Sequence, residues 1–172
     1  CRVLVNAAGL GAQRVAHQMD GLDECTIPTL HLCKGNYYAH NGRSPFSHLI
    51  YPVPDASGAG LGIHATLDLA GQVRFGPDVE YVEEVDYRVS ETRVASYYDA
   101  IRRYYPGLKD GGLSPAYAGI RPKLQAADGD VEDFVIQGAE THGIEGLVQL
   151  YGIESPGLTA SPTTPVATPV PQ

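Results

Sequence analysis

An apolar run, Leu147-Val148-Gln149-Leu150-Tyr151, breaks directly into Gly152-Ile153-Glu154-Ser155-Pro156-Gly157-Leu158-Thr159, and this junction constrains the fold more than any other stretch. It reads as a buried strand ending in a turn that opens a helix. The two glycines permit a positive φ or a close backbone approach, and Pro156 presets the φ of a first helical turn. Exposed amides at such a turn carry partial positive charge and suit an anionic ligand. A second unit of the same kind stands at the other end, where Val3-Leu4-Val5-Asn6 runs into Ala7-Ala8-Gly9-Leu10-Gly11-Ala12-Gln13. Two strand-turn-helix units flanking a long insert predict an α/β (α+β) chain, a Rossmann-like nucleotide-binding half interrupted by a second domain.

The chain is 172 residues long, enough for one substantial core or a core with a smaller partner layer, so one or two domains are expected. No apolar run nears the roughly 20 residues that a membrane span requires, which disfavours a transmembrane role. The net charge of −8 repels phosphate backbones, and there is no Lys/Arg-rich stripe beyond the short Arg102-Arg103 pair, so nucleic-acid binding is disfavoured too. Cys1, Cys25 and Cys33 are odd in number, without Cys-x-x-Cys spacing or a secretory segment before them. Reduced thiols and a cytoplasmic location, or a peripheral one at a membrane, are the expectation. The chain begins with Cys1 inside an expected strand and so reads as part of a longer polypeptide.

Between the two junctions the pattern changes. After a strand over 3–6, Leu10, Val15, Ala16 and Met19 suit a helix over 10–19. Residues 26–38 are rich in β-branched and aromatic side chains and should be extended, carrying the chain between domains. Stretches 49–54, 62–68 and 72–76 read as strands separated by glycine-rich turns, an antiparallel sheet. Ser90 is a candidate N-cap, followed by Val94, Tyr97, Tyr98, Ile101, Tyr104 and Tyr105 at helical spacing until Pro106-Gly107, a long helix over about 90–105. That stripe reads as core packing rather than a ligand box. Two more strands are expected over 114–123 and 134–136, and residues 162–172, rich in proline and threonine, as a disordered tail.

With those pieces assembled, the chain resembles the FAD-dependent oxidoreductases of the D-amino-acid-oxidase superfamily. The resemblance rests on Asn6-Ala7-Ala8-Gly9, Lys34-Gly35-Asn36-Tyr37, Ile50-Tyr51-Pro52-Val53-Pro54, Leu61-Gly62-Ile63-His64-Ala65-Thr66, Phe75-Gly76-Pro77, Ala118-Gly119-Ile120-Arg121-Pro122 and the turn over 152–159, in the family's order. It implies an FAD-binding domain built from 1–33 and 139–161, and an inserted antiparallel substrate domain over 34–138. Two departures stand out. No Gly-x-Gly-x-x-Gly turn is present to hold a pyrophosphate: Gly58-Ala59-Gly60-Leu61-Gly62 has different spacing and no helix after it. The helix after Thr159 is also cut short by Pro162-Thr163-Thr164-Pro165, which limits the dipole offered to a flavin.

The resemblance further implies oxidation of a small 2-hydroxy acid, 2-hydroxyglutarate-like, by hydride transfer to FAD, with oxygen or a quinone as electron acceptor. Arg121 would grip the substrate carboxylate, since a planar fork of donors holds a carboxylate bidentately; a structural ion pair is the competing reading. His64 would take the hydroxyl proton, against the plainer reading of a hydrogen-bonded strand histidine. Lys123 shares a strand face with Arg121 and would meet the second carboxylate of a dicarboxylate, or else be a solvated lysine at a strand end. Tyr38 would line the substrate pocket, or pack. Gly9 would let the backbone approach the cofactor, while Gly152, Ser155, Pro156, Gly157, Leu158 and Thr159 would present amides to the flavin edge and stabilise the charge it gains. An amine or amino-acid oxidase of the same fold, and a catalytically inactive piece without the pyrophosphate turn, remain the alternatives. His31, His40, His48 and His142 lack metal-ligand spacing, and Asp128, Asp130, Glu132 and Asp133 read as a solvated acidic turn, so no metal is expected.

Overall fold

A computed structural model describes residues 1–53 and 62–163. The chain forms two compact units, one made of residues 1–32 and those from 121 onward, the other of Cys33–Ile120. The return passage therefore falls at 120/121, so residues 121–138, expected in the insert, pack with the first unit. The physical reason is a strand pairing described next.

The first unit holds a three-stranded sheet. Strand β1 (Leu4–Asn6) runs parallel to β8 (Leu147–Tyr151), with Leu4 opposite Leu147 and Asn6 opposite Gln149. Strand β7 (Val135–Gln137) pairs antiparallel on the other side of β8, which holds 135–137 to this unit. Leu147, Val148, Gln149 and Tyr151 are buried, as the apolar run of β8 predicts. The expected burial of the first strand does not hold. Leu4 and Val5 are 46% and 42% exposed in a strand at one edge of this sheet, and Asn6 alone in that strand is buried. The helix expected over 10–19 is shorter, a 3₁₀ turn over Gly9–Gly11 followed by α1 (Ala12–Ala16). Glycines at both ends of the first turn disfavour the regular α conformation there. Ala12 and Ala16 pack on Tyr151, with Leu22, Ile27, Leu124 and Val135 around them.

The second unit is built on a long strand, β2 (His31–His40), which enters it from the first. β3 (His64–Leu67) pairs antiparallel with β4 (Val73–Gly76), and β4 pairs antiparallel with β2, with Tyr38 opposite Phe75. β5 (Glu80–Val82) and β6 (Leu113–Lys123) also pair with β2. In place of the strand expected over 49–54 there is an isolated bridge between Ile50 and Ala65; Pro52 has no N–H to extend a ladder. Pro54 and the Gly58-Ala59-Gly60-Leu61 stretch lie outside the described residues, as does the tail from Thr164.

The helix expected over 90–105 opens with a 3₁₀ turn at Glu91–Arg93 and continues as α2 (Val94–Arg102). Its aromatic stripe is core. Tyr97 and Ile101 are fully buried with Tyr38, Ala65, Val73 and Phe75, and Val94, Tyr98, Tyr104 and Tyr105 pack against them. The Tyr97 and Tyr104 phenols find partners, as burial demands. Tyr97 Oη donates to the Asn36 carbonyl at 2.5 Å and accepts from the Asp78 amide at 3.0 Å, while Tyr104 Oη donates to the Ile63 carbonyl at 3.0 Å. Burial holds both phenols well above their ordinary pKa. The Asn36 side chain binds Asp78 and Glu80, and Arg93 pairs with Asp78, so the start of α2 is fastened to the sheet by charge as well as by packing.

Candidate functional site

The turn after β8 is shaped first by packing. Gly152 has φ +68°, and a Cβ there would stand 2.9 Å from Leu124 Cγ, so both conformation and crowding require glycine. At Gly157 a Cβ would meet Ile153 Cγ2 at 2.6 Å, within the turn itself. Pro156 does not occupy the first helical position expected for it. It is the N-cap residue, at φ −96° and ψ 38°, of a short α4 (Gly157–Ala160) that passes into a 3₁₀ turn over Ser161–Thr163. Four residues generate little macrodipole, so what the turn offers is its first amides rather than a field. Ser155, Pro156, Leu158 and Thr159 are exposed, Leu158 by 93%.

The β1 turn is different. Gly9 has φ +55°, and a Cβ there would meet nothing within 4 Å, so the backbone faces open space. A buried amide pair holds this turn in place. Asn6 Nδ2 donates to the Ala12 carbonyl at 2.8 Å and to Gln149 Oε1 at 2.6 Å, and Asn6 Oδ1 accepts from the Ala8 amide at 3.3 Å. Gln13, on the first turn of α1, is buried with both carboxamide atoms unpartnered. Sequence reasoning gave Asn6, Gln149 and Gln13 no role.

Arg121 and Lys123 alternate along the end of β6, and both reach the same carboxylate on the turn. Lys123 Nζ donates to Glu154 Oε1 at 2.5 Å, and Arg121 Nε lies 3.7 Å from Glu154 Oε2, an ion pair longer than a hydrogen bond. The three side chains are 27%, 19% and 16% exposed for Arg121, Lys123 and Glu154. Glu154 was not singled out from the sequence. Two cations with i, i+2 spacing call for a counter-ion, but nothing local says that it lies 31 residues away.

His64 and Tyr38 belong to the second unit. His64, on β3, is buried, and its Nδ1 lies 3.3 Å from the Gly62 carbonyl. A carbonyl only accepts, so in that contact Nδ1 carries the hydrogen and Nε2 is the basic nitrogen of the neutral ring. The Tyr51 ring stacks on the imidazole at 4.4 Å and 16°. Tyr38 does not line a pocket. It is fully enclosed in the core against Tyr97, its hydroxyl donates to the Ser90 carbonyl, and burial raises its pKa. Among the described residues no group of three or more His, Cys, Asp or Glu side chains comes together as metal ligands would, and no helix is long and apolar enough to cross a membrane.

A two-unit α/β chain with a glycine-rich turn beside paired cations matches a known family. The family profile described as FAD dependent oxidoreductase covers residues 1–164, and the chain belongs to that family. An Arabidopsis thaliana protein named L-2-hydroxyglutarate dehydrogenase, mitochondrial, is 50% identical over 171 residues, 92% of this chain and 35% of that protein. A glycerol 3-phosphate dehydrogenase of Caloramator mitchellensis is 25% identical over 94% of this chain and 32% of its own length. The solved structure of dithionite-reduced L-alpha-glycerophosphate oxidase from Mycoplasma pneumoniae with FAD bound superposes with a TM-score of 0.69, at 24% identity, over 92% of this chain and 39% of that one. That likeness shows the fold. The chain spans about a third of the length of these relatives.

Proposed function

We propose that this chain serves the FAD-dependent oxidation of a small 2-hydroxy acid resembling 2-hydroxyglutarate. In this reading the first unit is part of a Rossmann-like cofactor domain and the second is an antiparallel substrate domain inserted into it. The observation that carries the reading is the meeting of Arg121, on β6, with the 152–159 turn through Glu154. It gathers an anion-binding side chain and a cofactor-type turn in one corner. The 50% identity to an L-2-hydroxyglutarate dehydrogenase supports the hydroxy acid as substrate class over the glycerol phosphate of relatives near 25%.

The residues present fit FAD on three counts: the open face of the Gly9 backbone, the exposed apolar Leu158 on the turn, and the buried, unpartnered carboxamide of Gln13. Gly9 and the turn at 155–159 would hold the group, the former where backbone approaches it and the latter at the ring edge, with N–H groups from Ser155, Leu158 and Thr159 because Pro156 has none and the Gly157 amide donates to the Glu154 carbonyl. When bound, the flavin supplies the acceptor for the hydride leaving the substrate's Cα. Arg121 holds the substrate carboxylate and so fixes Cα, since a planar fork of donors matches a carboxylate bidentately. His64 takes the hydroxyl proton at Nε2, its ring kept in plane by Tyr51 and its tautomer by the Gly62 carbonyl.

The test is anaerobic flavin bleaching by L-2-hydroxyglutarate in the full-length, FAD-loaded protein. Arg121→Met should cost about 100-fold in kcat/KM, in line with a lost charge-assisted contact. His64→Ala should slow bleaching by about 10²-fold or more, as loss of a general base does. A loss of only a few-fold with His64→Ala would count against the hydroxy-acid chemistry, because a neutral amine substrate needs no strong base.

A further inference from the structure

We propose that Arg74 is a specificity-determining residue that meets the distal carboxylate of a 2-hydroxyglutarate-like substrate on the open face of the second unit's sheet. The inference rests on the substrate class proposed above and deepens it by naming the group for the second charge. Lys123, the candidate that the sequence offered for that role, is engaged elsewhere and donates to Glu154 at 2.5 Å. Strand alternation gives the sheet two faces. Tyr38, Ala65, Val73 and Phe75 belong to the core under α2. Their neighbours point the other way. Thr66 and Ala39 stand opposite Arg74, and His64 stands opposite Gly76, so His64 and Arg74 are diagonal neighbours on one face, roughly 7 Å apart at the backbone. In a five-carbon 2-hydroxy diacid two methylenes separate the hydroxyl-bearing carbon from the distal carboxylate, a separation that two such neighbours can serve.

The same face holds Arg74 in place against an aromatic platform. The Tyr37 and Tyr117 rings stack at 4.5 Å and 13°, and the Arg74 guanidinium carbon lies 5.6 Å from the centroid of Tyr117, within cation–π range. Tyr117 is 46% exposed, and a Cβ at Gly119, two residues further along β6, would meet nothing within 4 Å, so the sheet is open beside the stack. Asp68 fixes the guanidinium from one side only. Its Oδ2 lies 3.1 Å from Arg74 Nη2, while its Oδ1 accepts the amides of Ala70 and Gln72, both at 2.9 Å, and so closes the turn between β3 and β4. Among the described residues Nε and Nη1 of Arg74 have no hydrogen-bond partner, and the side chain is 38% exposed. Donors therefore remain for a second carboxylate, in the fork geometry that suits one.

The experiment measures equilibrium binding of glutarate and of butyrate to the full-length, FAD-loaded protein by calorimetry, and follows the ratio of the two affinities. The unaltered protein should favour glutarate by about tenfold, the scale of one hydrogen-bonded charge contact. Arg74→Met should remove most of that preference. Arg74→Gln, which keeps a donor without the charge, should do the same and covers the case in which Arg74→Met does not fold. Asp68→Asn separates binding from support of the hairpin. It breaks the same ion pair but keeps an oxygen for the turn amides, and with a competing negative charge removed it should keep or raise the ratio; an Arg74 that served only to hold the hairpin would make the ratio fall in both variants. The proposal is overturned by a ratio near one in the unaltered protein, by a preference that survives both Arg74 substitutions, or by a fall with Asp68→Asn. Failure of the underlying reading looks different: the glutarate preference and its loss with Arg74→Met would persist, while L-2-hydroxyglutarate would leave the flavin unbleached.

Discussion

The two units solve the same problem with different materials. Residues 33–120 enclose an apolar core in which Tyr38, Phe75, Tyr97 and Ile101 are fully buried and α2 closes one face of the sheet. The first unit has a much smaller cluster, Ala12, Ala16 and Tyr151, and its edge strand leaves Leu4 and Val5 open. What fixes its geometry is polar: the Asn6–Gln149 amide pair across β1 and β8, and Glu154 between Lys123 and Arg121. Buried polar pairs add little net stability, yet leaving one member unpaired is costly, so they specify a position more than they stabilise a fold. The difference teaches where accuracy is concentrated. The unit with the smaller apolar cluster carries the turns assigned to cofactor and carboxylate, and the unit with the larger core, itself tied by the Asn36, Asp78 and Arg93 contacts, presents His64 on its sheet.

The comparison breaks most readily at Phe75. Phe75→Ala should destabilise the second unit by about 3–5 kcal/mol, the cost of emptying a large buried site, read as a shift in the denaturant midpoint. Asn6→Leu should cost less, about 1–3 kcal/mol, because Gln149 is left buried with an unpaired acceptor. If Asn6→Leu proved the more damaging of the two, the contrast between an apolar and a polar unit would be wrong. The smallest effect in ordinary conditions concerns pH. Burial raises the phenol pKa of Tyr38, Tyr97 and Tyr104 in the second unit and of Tyr151 in the first, above a starting value of 10.0. Below pH 10 both folded and unfolded chains keep these phenols neutral and stability is unaffected. Above it the unfolded chain ionises first, so stability falls as pH rises, more steeply in the second unit, where three phenols are raised. Tyrosinate absorbance followed alongside circular dichroism should show ionisation coinciding with unfolding, and Tyr97→Phe should make the fall shallower.

Local pattern made some elements legible and hid others. β8 was readable because five residues bearing strand-type side chains end at a glycine turn, and α2 because its apolar side chains recur at helical spacing before Pro106. β5, only three residues long, and α3 (Ala139–His142), a single turn, are too short for periodicity to register. The helix over 10–19 was overextended because apolar spacing outweighed Gly9 and Gly11 in the reading. At the site, Arg121, Lys123 and the turn were all visible in sequence, but their meeting was not. Glu154 drew no separate reading from the sequence, and the fold puts it against both cations. Tyr38 went wrong for the opposite reason: an aromatic near the expected crossing between domains is as consistent with a pocket as with a core, and only burial decides.

By itself, the amino-acid order determined the kinds of local structure and the chemistry available to them, because φ restrictions at glycine and proline and the period of apolar side chains act over a few residues. Tertiary structure alone decided which charges neutralise one another, which phenols and amides are spent on packing, and which strand is left at the edge. Those outcomes depend on pairings between residues far apart in the chain, such as Asn6 with Gln149 and Lys123 with Glu154, and no short window of sequence contains both partners.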